Sequence, residues 1–275
     1  MTTSEPVISL HDVGVQFSRN RRRHRSIKDL LIRRKLGLDT QGEFWPFRHV
    51  SFDIHAGESI GVVGRNGQGK STLLSLIAGV LLPDEGSVNV RLGVAPLIAI
   101  TGGFESELTA RDNIYLVSGL HGMSNDEIDA AFDEIVDFAE IGDFLDTPFK
   151  HFSSGMKVRL AFSVVSRLNE PILLVDEVLA VGDKRFRNKC LKRIEQLLEG
   201  GTTLFLVSHS EGNLRSYCQR GLYLESGELR ADGPIEEVIE KYERDQGTWV
   251  ERAVGDEVQL EEYADLAASS SEDVF

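Results

Sequence analysis

Gly64-Arg65-Asn66-Gly67-Gln68-Gly69-Lys70-Ser71 is the stretch that decides the fold. It fits G-x-x-x-x-G-K-[ST], a glycine-rich loop whose backbone N–H groups cradle phosphates. Its flanks read as that motif requires. Glu58 to Val63 is a short apolar run with the pattern of a buried strand. Ser71 to Ala78 then places Leu73, Leu74, Ile77 and Ala78 on one side of a helix. Glycines let the backbone curl so that successive N–H groups form a nest for anionic oxygen, and the helix N-terminus adds partial positive charge. Lys70 is placed to reach the β- and γ-phosphates of a nucleotide, and Ser71 to offer its hydroxyl to Mg²⁺. Gly64, Asn66, Gly67, Gly69 and Thr72 complete the candidate nucleotide contacts in this stretch.

Working outward, a chain of 275 residues is the natural size for one α/β domain with a tail or an insertion. The net charge of −14 argues against a general affinity for nucleic acid. Cys190 and Cys218 show no metal or redox spacing, so structural thiols in a reducing cytoplasm are expected. The N-terminus has no basic-then-apolar leader and no run of eighteen apolar residues occurs, which predicts work from the water side of any membrane.

Val7 to Phe17 alternates like a strand. Next comes Arg19-Asn20-Arg21-Arg22-Arg23-His24-Arg25, a basic cluster running into an incomplete apolar stripe at Ile27, Leu30, Leu31 and Leu36. This insertion, about 19–45, reads either as a solvated loop with a short helix or as a basic amphipathic element near lipid headgroups or a membrane partner. Phe47 to Ile54 predicts a second strand and Ser87 to Ile98 short strands. From about 100 to 168 the pattern turns helical, with helices over Thr109–Leu120 and Ser124–Ile141, the latter carrying a Ser124/Glu127 capping box. Strand and helix then alternate again: strands Ile172–Val175 and Thr203–Val207, a helix Lys184–Leu198, and a hairpin turning at Ser226-Gly227. A helix from Pro234 to about Asp245 precedes residues 253–275, an acidic tail expected to be mobile.

The strand Ile172-Leu173-Leu174-Val175 ends in Asp176-Glu177. A strand buried on both faces is a rigid mount, so Asp176 is placed to hold the Mg²⁺ shell and Glu177 to orient or deprotonate an attacking water. Leu206 and Val207 lead to His209, read either as structural or as a sensor of the γ-phosphate. In Phe152-Ser153-Ser154-Gly155-Met156, serines and a glycine open a further helix, another N-terminus suited to anions.

With these segments in this order the chain resembles the ATP-binding-cassette (ABC) family over about residues 7–245. The resemblance implies an α/β P-loop NTPase fold with a RecA-like core, an antiparallel β subdomain and an inserted helical subdomain within residues 1–252. It implies ATP and Mg²⁺ as cofactors and a head-to-tail homodimer. Each ATP would lie between one copy's phosphate loop and the other copy's Ser153, Ser154 and Gly155. Phe17 sits where the family stacks an aromatic on adenine, the alternative being a core strand residue. Phe152-Ser153-Ser154-Gly155-Met156, the run Asp176-Glu177-Val178-Leu179-Ala180-Val181-Gly182-Asp183 with Phe186 and Cys190, and Gly102-Gly103-Phe104 with Leu108-Thr109 look like one subgroup. That subgroup comprises ATPases of bacterial capsule, O-antigen and wall-teichoic-acid exporters. Ser154 and Met156 depart from the usual glycine and glutamine, and no glutamine stands near Val94–Leu97, which leaves the coupling residue open. The resemblance implies multi-spanning permease subunits, a lipid-linked glycan as cargo, a place on the cytoplasmic face of the bacterial membrane, and no nucleic-acid partner. The tail is too short for the carbohydrate-binding domain of some O-antigen members. Alternatives are the ATPase of a drug, lipid or import transporter, a P-loop kinase, and a soluble cassette acting in translation or DNA maintenance.

Overall fold

The computed structural model describes residues 5–18, 43–97, 101–176 and 183–247. The basic cluster, Glu177 and the acidic tail lie outside the described residues.

Three strands, β1 (Ile8–Ser18), β2 (Glu43–Ile54) and β4 (Glu85–Val90), form an antiparallel sheet in the order β2-β1-β4. A second sheet holds β3 (Ser59–Val63), β5 (Val94–Leu97), β6 (Ile172–Val175), β7 (Thr203–Val207), β8 (Arg220–Glu225) and β9 (Glu228–Pro234) in the order β5-β6-β7-β3-β8-β9. Its neighbours are parallel except for the final β8–β9 hairpin. Every residue of β3, β6 and β7 is buried, as continuous apolar runs in a covered parallel sheet should be.

Strand alternation divides the core. Leu173, Val175, Leu204 and Leu206 point to one face, where they meet α4 (Ser154–Val165), α5 (Lys184–Glu199) and a helix at 235–247. Ile172, Leu174, Phe205 and Val207 point to the other, against the antiparallel sheet and α1 (Lys70–Ile77). Phe205 stacks on Phe52 at 6.4 Å and joins the two sheets. Cys190 and Cys218 lie buried, and burial pushes each thiol up to about 12, which makes them structural rather than reactive.

A third apolar cluster belongs to the helical insertion, built from α2 (Ala110–Leu120), α3 (Asn125–Ala139) and α4. The capping box forms: Ser124 Oγ accepts from the Glu127 amide, and Glu127 accepts from the Ser124 amide at 2.8 Å. Thr109 caps α2 without a full box: its Oγ1 accepts from the Asp112 amide at 3.1 Å and donates to the Asp112 carboxylate at 2.6 Å. Buried Asn113 then closes the preceding loop, accepting from Glu105 N and donating to the carbonyls of Glu105, Leu108 and Thr109.

Among the differences from expectation are the bounds of β2, those of the hairpin strands, and one additional helix. β2 begins at Glu43, inside the range assigned to the basic insertion, because it is an edge strand and tolerates Pro46 there. The hairpin strands extend to Arg220 and Pro234. Short α6 (Glu211–Tyr217) buries Leu214 alone within its span, too little apolar periodicity to show in the sequence.

Phe205→Ala removes the ring at the sheet–sheet contact and should cost about 3–5 kcal/mol of stability. Chemical denaturation measures this, and a loss below about 1 kcal/mol would contradict packing on both faces of the parallel sheet.

Candidate functional site

The carboxyl ends of β3, β6 and β7 lie side by side, and each feeds one polar element to the same place. That edge of an open parallel sheet is where α/β proteins take their ligands. β3 delivers the phosphate loop, β6 delivers Asp176, and β7 delivers His209 two residues beyond its end.

Backbone crowding sets the loop's shape. Gly64 has φ of 152°, and a Cβ there would fall inside contact distance of the Leu224 carbonyl oxygen. Gly69 caps α1 at φ 89°, where a Cβ would lie 2.7 Å from the Phe47 ring and 3.0 Å from Pro46. A side chain at Gly64 would meet backbone, and one at Gly69 would press on the Phe47 ring from a strained φ. Lys70, only 6% exposed, turns back into the loop and donates to the carbonyls of Gly64 at 2.6 Å and Arg65 at 2.9 Å. Gln68 Oε1 accepts from Ser226 N at 2.7 Å, and Gly227 O accepts from Arg48 N at 2.8 Å. The hairpin turn thus fastens the loop to β8–β9 and to β2.

A cavity of 580 Å³ opens above this floor. Its walls include Asn66, Gly67, Gly69, Lys70, Ser71, Thr72, Asp176 and His209 at the polar end, and Phe17, Phe44 and Pro46 at the apolar end. Phe17 and Phe44 occupy one rung of the β1–β2 ladder and remain 40% and 37% exposed, so Phe17 is a wall residue and not a core one. Asn66 and His209 also border an adjoining polar cavity with Arg65, Gln68 and Tyr242.

The residues fit a nucleoside triphosphate with its metal. The buried cation and the first-turn amides of α1 suit phosphate, the Ser71 hydroxyl and Asp176 carboxylate are hard oxygen donors suited to Mg²⁺, and the aromatic end suits a base. Ser153, Ser154 and Gly155 are not in this cavity. They stand at the solvent-facing start of α4, where Ser153 Oγ accepts from Met156 N at 3.2 Å. Glu177 follows Asp176 directly but lies outside the described residues.

The comparisons with known proteins agree with this geometry. The family model described as "ABC transporter" matches residues 47–180. The O-antigen export system ATP-binding protein RfbB of Klebsiella pneumoniae is 39% identical over 242 residues, covering 87% of this chain and 98% of its own. The chain belongs to the ABC transporter family. This cassette is also 39% identical over 236 residues to the teichoic acids export ATP-binding protein TagH of Listeria monocytogenes serotype 4b (strain F2365), covering 86% of this chain and 69% of that one. Among solved structures, a dimeric ATP-binding cassette in a post-hydrolysis state bound to ADP and Pi superposes with a TM-score of 0.66 at 21% identity, over 83% of this chain and 98% of that one. An ATP-binding subunit of an ABC transporter superposes with a TM-score of 0.68 at 20% identity, over 86% and 93%. The mixed α/β cassette fold with its RecA-like core, β subdomain and helical subdomain is therefore as expected.

Sequence reading missed Phe44 and Gln68 in this cassette. Phe44 was hidden by the proximity of the basic insertion, although strand pairing with Phe17 follows once β2 is extended to Glu43. Gln68 carries no local signal, since its partner Ser226 is remote in sequence.

Gly64→Ala should reduce ATP affinity at least about tenfold, because its Cβ displaces either the loop or β8. Isothermal titration with ATP checks this, and wild-type affinity would show that the loop does not depend on the Leu224 contact.

Proposed function

We propose that this chain is the ATP-hydrolysing subunit of an exporter that moves a lipid-linked polysaccharide or teichoic-acid polymer across the cytoplasmic membrane. The observation that carries the reading is the phosphate loop, Asp176 and His209 converging on one cavity. The cargo class is supported by relatives whose names specify O-antigen or teichoic-acid export. Among the described residues no helix is long and apolar enough to cross a membrane. In this reading, which the names of the relatives support, separate permease subunits form the path for cargo and this chain works on the cytoplasmic face.

Roles follow from chemistry. Lys70 and the loop amides hold the β- and γ-phosphates, and Phe17 with Phe44 receives the adenine. Ser71 and Asp176 would hold Mg²⁺, which when bound would supply positive charge against the phosphates. Glu177 orients the water and accepts its proton as the new O–P bond forms at the γ-phosphorus and the bond to the β-γ bridging oxygen breaks, releasing ADP. His209 contacts the γ-phosphate. A second copy supplies Ser153, Ser154 and Gly155 from the exposed start of α4, an arrangement supported by the dimeric state of a structural neighbour. The basic segment 19–42 is assigned to the membrane side, where each cationic residue near an anionic surface contributes about 1 kcal/mol.

Glu177→Gln should leave ATP binding intact and nearly abolish turnover, since the carboxylate acts on water rather than on nucleotide. Binding and phosphate-release assays on the same sample check this, and wild-type turnover would remove Glu177 from the chemistry. Gly155→Asp should keep ATP binding by the monomer while abolishing ATP-induced dimerisation. Light scattering with and without ATP reads the dimer, and an unaffected dimer rejects the composite site.

A further inference from the structure

The helix at 235–247 buries Ile235, Val238 and Ile239 against the parallel sheet, and Tyr242 continues that stripe at helical spacing. Two glycines let the helix lie close. Gly61 of β3 and Gly221 of β8 are partners in the ladder between those strands. A Cβ on Gly61 would stand 2.8 Å from the Leu214 side chain and 3.2 Å from that of Ile235, and one on Gly221 would stand 2.9 Å from that of Val238. The helix starts beside the first residue of β8, where Ile235 N donates to Gln219 O at 3.1 Å. Further along its axis by about 10 Å, Tyr242 arrives at the carboxyl edge of the sheet. Its ring meets that of Tyr223 edge-on, with centres 5.4 Å apart.

There Tyr242 lines the polar cavity of 590 Å³ together with Arg65, Asn66, Gln68 and His209. That cavity shares Asn66 and His209 with the nucleotide cavity. Phe17, Phe44 and Pro46 border only the nucleotide cavity of the two, so the cavities meet at the phosphate end. We propose that Tyr242 is a positioning residue for ATP hydrolysis, its hydroxyl holding His209 in place beside the γ-phosphate. This rests on the reading of the site proposed above, in which His209 contacts the γ-phosphate.

The same helix fixes the backbone that carries His209. α6 follows His209 directly, capped by Ser210, whose Oγ accepts from Asn213 N at 3.4 Å. Arg215 of α6 forks onto the helix at 235–247, Nη1 donating to Glu236 and Nη2 to Glu243 at 3.3 Å. Leu214, fully buried, seats α6 on the backbone at Gly61. One element therefore reaches His209 twice, through α6 behind it and through Tyr242 across the cavity. Burial pushes the Tyr242 phenol above its usual range; a hydrogen bond from Gln246 and the charge of Arg65 oppose the rise, while the Glu211 and Glu225 carboxylates add to it. The hydroxyl thus stays protonated at neutral pH. A hydrogen bond that favours the ionised phenol is one donated to its oxygen, which leaves the O–H for an acceptor such as an imidazole nitrogen.

The test measures ATP affinity, KM, kcat and the thermal midpoint for wild type, Tyr242→Phe, His209→Gln and the double variant. Slow variants are read as single-turnover phosphate release at excess enzyme. Phenylalanine keeps the ring against Tyr223 and removes only the hydroxyl, so a merely structural role leaves every readout unchanged. The expected result for Tyr242→Phe is kcat lowered about fivefold, with affinity, KM and midpoint unchanged. In the His209→Gln background the same substitution should lower the residual rate no further, because the two residues act as one unit. A wild-type kcat in Tyr242→Phe, an equal loss of ATP affinity, or an undiminished loss beside His209→Gln would each overturn the proposal. If Tyr242→Phe does not fold, Gln246→Ala decides, since it keeps Tyr242 and removes the bond to its oxygen. A lowered kcat with unchanged affinity is expected there, and a wild-type kcat overturns the proposal. Glu177→Gln run alongside separates the readings. Retained turnover in that variant defeats the catalytic reading itself, whereas a dead Glu177→Gln beside a normal Tyr242→Phe defeats only the positioning role.

Discussion

The site depends on a steric constraint: the phosphate loop must pass between the end of β3 and the carbonyl of Leu224 with no side chain at Gly64. β3 is held between β7 and β8, so the strand cannot yield, and the loop has to take its curl there. Phe47 and Pro46 impose a second limit at Gly69, from the antiparallel sheet. Lys70 then closes the curl by donating to Gly64 and Arg65 carbonyls. Two sheets packed through Phe52 and Phe205 are thus what holds the anion nest ready. A preformed nest costs little reorganisation when phosphate arrives.

The same packing explains the division of the site. Strand ends can gather residues only along one edge, and they gather the loop, Asp176 and His209. The start of α4 belongs to the helical insertion and faces elsewhere, with Ser153 and Ser154 exposed. One chain therefore presents a nucleotide cavity and, separately, a solvent-facing helix start. In the proposed composite site, a second copy would bring its own α4 start to this cavity.

What was legible in the sequence was local chemistry. The phosphate loop, the apolar strand before Asp176 and the Ser124/Glu127 box each carry their signal within a few residues. Long-range pairings were not legible. Gln68 with Ser226, Arg159 with Asp183 and Phe17 with Phe44 depend on how distant segments pack, and no periodicity encodes them. Asn113 is similar: a polar residue in a helix reads as exposed, yet it is buried because four loop groups use its amide.

The central claim is that this loop binds the phosphates of ATP through Lys70. Equilibrium titration of ATP in Mg²⁺ onto wild type and Lys70→Ala tests it most directly. The account predicts saturable binding by the wild type and an affinity at least about tenfold weaker in Lys70→Ala, since a buried cation is removed from the phosphates. Equal affinity in the two, with equal hydrolysis, would contradict it.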